Sequence, residues 1–166
     1  IDLDYQLLQN RKDIILSKNV RVVEAQNLKK DMKLIKCKYP IIDNKKVLEN
    51  SYTKGFNTEP FGDNYFVPIN YSLKSKLEWL TGYVDSLGCP DSTSIKLYSI
   101  HKPFLIKIKL MLQTCGISSK VSIDKGNWRL LIAGAELQRI INLGFSPKRF
   151  DKIIKQRNPM AFVKVT

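Results

Sequence analysis

The sequence is poor in the side chains from which most catalytic centres are built. It has one histidine, His101, in 166 residues. That excludes a His-rich metal site, and His101, just ahead of a predicted helix, reads as a surface or capping residue. A Ser-His-Asp set, a P-loop, a GxGxxG fingerprint and paired acids at helical spacing are all missing. The three cysteines, Cys37, Cys89 and Cys115, are odd in number and share no CxxC spacing. This argues against a zinc site or a disulfide framework and suits an intracellular, reducing compartment. No run approaches the roughly 20 apolar residues of a membrane span, so no membrane role is expected. The opening Ile1-Asp-Leu-Asp-Tyr5 is no signal peptide and lacks an initiator methionine, so a piece of a longer chain is expected.

Acidic residues are also scarce. Fifteen Asp and Glu face 28 Lys and Arg, a formal net charge of +13. The excess is concentrated from residue 71 onward, where residues 71–150 carry twelve basic and five acidic side chains. Such a chain suits a polyanionic partner, nucleic acid first. The plain alternative is a generically basic protein. Hydrophobic content of 43% and charged content of 26% are those of a globular protein with a real core.

One stretch organises the rest, Lys76-Leu-Glu-Trp-Leu-Thr-Gly-Tyr-Val-Asp-Ser-Leu-Gly88. Leu73, Leu77, Leu80, Val84 and Leu87 recur at helical spacing, which predicts an amphipathic helix. Ser72 or Ser75 is placed to cap its start, and Ser75 with Glu78 has capping-box spacing. Gly88 is expected to end it in a left-handed conformation. Gly82, in the middle, costs a helix roughly 1 kcal/mol relative to alanine. With Ser86 four residues on and Thr81 beside it, Gly82 strips one helix face of bulk and lets another backbone come close.

Leu80-Thr-Gly-Tyr-Val-Asp-Ser-Leu-Gly88 resembles the LAGLIDADG motif of homing endonucleases, and more closely the copy found in inteins of viral ribonucleotide reductase large subunits. The resemblance implies an α+β fold, a half-domain of αββαββα type with helices on an antiparallel sheet. It implies that the motif helix packs through Gly82 and Ser86 against a second copy, and that the penultimate motif residue holds a catalytic Mg2+. Here that residue is Leu87, which cannot ligate a hard cation. Asp85 fills an earlier aspartate position that is more structural than catalytic in the family. The metal site is therefore expected not to be intact.

Further phrases extend the resemblance. Residues 1–42 read as short strands (Ile14–Leu16, Val20–Val23, Met32–Cys37), and Val20 to Leu34 is similar to a β-rich, Hint-like segment of the intein splicing domain. Residues 43–70 read as a connector with little periodicity. Within it, Leu48-Glu-Asn-Ser-Tyr-Thr-Lys-Gly-Phe-Asn-Thr-Glu-Pro-Phe-Gly-Asp63 resembles the worn start of a first endonuclease motif, broken by Pro60. Only Glu59 and Asp63 remain as acids near its catalytic position. The half-domain spans residues 71–149. It continues with a strand at Ser94–Ile100, a helix with Pro103 in its first turn, and a hairpin of 117–123 and 127–132 across Asp124-Lys-Gly126. A last helix covers about 134–143. Residues 150–166 resemble the strand that returns to the splicing domain. The splicing residues are missing, since no Cys or Ser opens the chain and no His-Asn closes it.

Alternation along the strands points Lys96, Tyr98, Lys120, Ser122 and Arg129 outward. The resemblance implies that this face meets double-stranded DNA. Three readings follow: a decayed, cleavage-deficient DNA-binding endonuclease domain, a passive module that supports the host intein, and a live Mg2+-dependent nuclease using Asp85 with Glu59 or Asp63. Expected partners are duplex DNA and the halves of a host protein, with a homodimer through the motif helix as a further contact.

Overall fold

The computed structural model describes residues 22–35, 38–60, 65–149 and 162–164. The chain divides into two compact units, Ile1–Lys38 with Met160–Thr166, and Tyr39–Pro159. In the first, a 3-10 turn at Ala25–Asn27 precedes strand β1, Lys33–Ile35. β1 pairs antiparallel with a strand near the end of the chain, Phe162–Lys164, placing Leu34 opposite Val163. The strand expected at Ile14–Leu16 lies outside the described residues, and Val22 and Val23 are not in a strand.

The second unit is α+β. Helix α1 (Ser51–Phe56) and helix α2 (Leu73–Leu87) are followed by strands β2 (Cys89–Pro90) and β3 (Ser94–Ser99). Then come helix α3 (Lys102–Thr114), strands β4 (Lys120–Asp124) and β5 (Asn127–Ala133), and helix α4 (Ala135–Asn142). The strands form one antiparallel sheet in the order β2-β3-β5-β4. From α2 onward the order is αββαββα.

The apolar periodicity predicts α2 but understates its burial. Ten of its residues, from Ser75 to Asp85, are buried, so it is a central helix rather than one with a wet face. Ser72 is its N-cap, accepting from the Ser75 N–H, and the Leu73 N–H donates to Asp43 Oδ1 at 2.8 Å. The expected capping box does not form. The Ser75 hydroxyl instead accepts the Leu48 N–H at 3.0 Å, and the Glu78 carboxylate accepts from the Ser51 hydroxyl at 2.7 Å. Gly88 is not left-handed either, with φ at −71°. Glycine stands there for space, because an added Cβ would lie 2.8 Å from Val84 atoms.

Lys76 lies on the buried side of α2 and is 0% exposed. Its ammonium donates to the Ile42 carbonyl at 2.7 Å and to Thr114 Oγ1 at 3.0 Å, at the end of α3. Burial lowers its pKa from the ordinary lysine value, against smaller attractions from Cys115 and Asp43. The core beneath the sheet joins Ile95 and Leu97 of β3 and Leu130 and Ile132 of β5 with Phe104, Ile108 and Leu112 of α3. Lys125 (φ 50°) and Gly126 (φ 85°) form the two-residue turn between β4 and β5, the left-handed pair that a tight hairpin requires.

Residues 43–70 contain an element that their weak periodicity does not announce. Helix α1 is six residues long and lies against α2. Gly55 and Gly82 are the points of closest approach. A Cβ on Gly82 would overlap the Tyr52 carbonyl oxygen and lie 2.9 Å from the Phe56 nitrogen. A Cβ on Gly55 would overlap the Trp79 carbonyl oxygen. The small-residue face is therefore covered from within the chain. A second copy packing there through Gly82 would have to displace α1.

Candidate nucleic-acid interface

Two places carry the sequence-derived site residues, the carboxyl end of α2 and the sheet face turned away from the core. At the helix end, Asp85 is 8% exposed and both carboxylate oxygens have partners. The Tyr52 hydroxyl donates to Oδ2 at 3.0 Å and the Arg149 backbone N–H donates to Oδ1 at 3.1 Å. The Arg149 guanidinium donates to the carbonyls of Asp85 and Ser86 at 3.3 and 3.4 Å. A cation on the last carbonyls of a helix is well placed against its dipole. The Tyr52 phenol is held above its ordinary pKa by burial and by the neighbouring Asp85 carboxylate. Asp85 thus ties α1 and the chain at Arg149 to the motif helix.

Leu87, two residues on, is 45% exposed and presents no oxygen. Glu59 is exposed, and Asp63 lies outside the described residues. Among the described residues no group of three or more His, Cys, Asp and Glu is placed to hold a metal ion. This end of α2 does not fit a divalent cation, which needs several convergent hard oxygens. Its one carboxylate is already hydrogen-bonded, and its carbonyls face a guanidinium.

The sheet brings the five outward candidates onto one surface. Tyr98, Arg129 and Ser122 are paired across β3, β5 and β4 in one row, and Lys96, Leu131 and Lys120 form the next. Sequence reasoning assigned Asp124 to the turn, yet it belongs to β4 and to this same face. The Tyr98 hydroxyl donates to Asp124 Oδ2 at 3.0 Å, and Arg129 Nη1 lies 3.0 Å from the same oxygen. Arg129 Nη2 is 3.4 Å from the Ser122 hydroxyl. Continuing the alternation of Lys120 and Ser122 by two residues would have found Asp124.

Lys96 is paired as well, at 3.1 Å from Asp91. Burial pushes Asp91 upward, but the Ser94 hydroxyl, the Thr93 and Ser94 N–H groups and the Lys96 ammonium outweigh it and hold the carboxyl well below its usual range. Asp91 in turn raises the pKa of Lys96. Lys120, exposed on edge strand β4, makes no hydrogen bond or ion pair among the described residues. The face therefore combines two neutralised cations with a free one at its edge.

A family model described as a LAGLIDADG-like domain matches residues 74–142, from the first turn of α2 to the end of α4. This stretch of the chain is similar to a LAGLIDADG-like domain. The ribonucleoside-diphosphate reductase large subunit of Invertebrate iridescent virus 6 is 34% identical over an aligned 125 residues, covering 60% of this chain. The chain spans 13% of that relative's length. The open sheet face and the carboxyl end of α2 are separate chemical environments, one polar with a free lysine at its edge, the other closed by Arg149.

No described helix is long and apolar enough to cross a membrane. The described cysteines Cys89 and Cys115 are free. Cys115 is buried, and that burial pushes its thiol up to about 11.

Proposed function

We propose that this chain is an intein-borne homing-endonuclease domain that binds duplex DNA through the open face of its sheet and has lost cleavage. The observation that carries the second half is the carboxyl end of α2, where Leu87 offers no carboxylate and Arg149 donates to the carbonyls of Asp85 and Ser86. A strand-cutting site of this kind needs acids around a divalent metal, and the one acid present, Asp85, already accepts from Tyr52 and the Arg149 N–H. DNA affinity is supported by the net charge of +13 and by the polar row of Tyr98, Arg129 and Ser122 beside the free Lys120.

The intein setting rests on the reductase relative and on the strand pair that brings the two ends of the described chain together. The host protein is then a ribonucleotide reductase subunit. Mg2+ has no role in the reading. The reading is tested by titrating the chain into labelled duplex DNA carrying an uninterrupted reductase insertion site, first at rising salt without metal, then with Mg2+ or Mn2+. Affinity that falls steeply with salt, with no nicks in either metal, is the expected result. Metal-dependent nicking would overturn the loss of cleavage and direct attention to Asp85, Glu59 and Asp63. No binding at low salt would leave a passive module whose charge serves solubility.

A further inference from the structure

We infer that Asp124 is a positioning residue that commits Arg129 to reading a base edge and turns it away from phosphate. The inference rests on the DNA-binding reading above and goes beyond it. Arg129 sits on β5, the strand between β3 and β4, with Tyr98 on one side and Ser122 on the other. Its guanidinium is held at two points. Nη1 is bound to Asp124 at 3.0 Å, Nη2 is near the Ser122 hydroxyl at 3.4 Å, and Nε is buried without a partner. The Tyr98 hydroxyl anchors the other side of the arrangement by donating to Asp124 Oδ2. The carboxylate is thus fixed before it fixes the arginine.

The charge consequence is simple. A phosphate approaching Arg129 also approaches Asp124, so the attraction of one is largely cancelled by the repulsion of the other. A neutral acceptor meets no such penalty. Each Nη nitrogen keeps one further N–H, and two donors are the complement of guanine O6 and N7. A side chain already immobilised also loses little freedom when it binds. Lys120, at the sheet edge and without a carboxylate neighbour, is left to meet phosphate. The face would then separate the two kinds of contact, with the centre reading sequence and the edge fixing position.

The test uses the full chain, its Asp124→Asn and Arg129→Lys variants, and a randomised duplex pool. Selected sequences report base preference, and a salt titration on the unselected pool reports phosphate contacts. Asp124→Asn keeps an oxygen for Tyr98 and removes the negative charge. The expected result is that the wild-type chain selects a guanine at one position. Asp124→Asn should weaken that preference about tenfold and steepen the slope of log affinity against log salt by about one phosphate contact. Arg129→Lys should lose the preference while keeping its affinity for the unselected pool, and it carries the test if Asp124→Asn melts early.

An Asp124→Asn chain that selects the same base with an unchanged slope overturns the role of Asp124. So does a wild-type chain that binds the pool and returns no preferred base, although that outcome leaves DNA binding standing. No affinity for the pool at low salt sinks the DNA-binding reading itself, and this inference with it.

Discussion

Gly82→Ala separates two physical accounts of the motif helix by sign. If the face of α2 at Gly82 were open, alanine would be the better helix former and would stabilise the chain by roughly 0.5–1 kcal/mol. In the structure the new methyl overlaps the Tyr52 carbonyl oxygen and lies 2.9 Å from the Phe56 nitrogen. Both atoms are backbone, so no rotamer change relieves the contact, and α1 must move away from α2. Overpacking of this kind costs about 1–3 kcal/mol. The displacement also stretches the Tyr52–Asp85 and Ser51–Glu78 hydrogen bonds, each worth about 1.5–3 kcal/mol to a charged acceptor when intact. Set against the helix-propensity gain, a net loss of about 2–4 kcal/mol is expected. Urea unfolding followed by tryptophan fluorescence measures it, since Trp79 and Trp128 both lie in the Tyr39–Pro159 unit. The midpoint should fall with little change in slope. Gly55→Ala, whose methyl overlaps the Trp79 carbonyl oxygen, should behave alike. A Gly82→Ala midpoint above wild type would refute the packing of α1 on this face.

Other perturbations follow from the same contacts. Tyr52→Phe removes one of the two partners of the Asp85 side chain and should cost about 1.5–3 kcal/mol; an unchanged urea midpoint would mean that the hydroxyl does not hold α1. Leu87→Asp restores an acid at the carboxyl end of α2, but beside the carbonyls that Arg149 already occupies. A plasmid-nicking assay in Mg2+ should stay blank, and nicks from that single change would show that Arg149 does not close the site. Cys115 titrates near 9.0 in an unfolded chain and at about 11 when buried. Its contribution is present in full below pH 9 and is lost as pH rises through about 11, on the order of 3 kcal/mol. Cys115→Ala should therefore show a shallower alkaline decline in unfolding free energy than wild type, and parallel curves would contradict the burial argument.

What was legible in the sequence follows the length of each element. Helices α2 and α3 run to 15 and 13 residues, long enough for the helical period to repeat, and both are found where the periodicity put them. Helix α1 has six residues, fewer than two full turns, so no period has room to show. Its own residues include serine, threonine, lysine and glycine rather than an apolar stripe. Its place is set by tertiary contact: Gly55 against the Trp79 carbonyl, Ser51 to Glu78, Tyr52 to Asp85. The capping-box signal at the start of α2 failed for a related reason. Ser75 and Glu78 had the spacing to cap each other, but α1 and the Leu48 N–H offered partners that local spacing cannot reveal.

The sheet face illustrates a second limit. Alternation sorts side chains into inward and outward sets, and by that rule Lys96, Tyr98, Arg129, Lys120 and Ser122 share a surface, as they do. A period of two gives no register between strands, and register decides which charges meet. Only when β4 is set against β5, with Ser122 opposite Arg129 and Asp124 one pair nearer the turn, does the arginine acquire a carboxylate. A formal charge of +13 counts Arg129 and Lys96 as free cations, whereas each stands about 3 Å from an aspartate. Surface pairs of this sort contribute little to stability, so under the proposed DNA-binding function their effect falls on recognition. They lower the field the face offers to any polyanion and leave intact the directed N–H groups that can distinguish one base from another. A basic composition therefore implies a polyanionic partner, but the placing of two aspartates governs how selectively this surface would bind it.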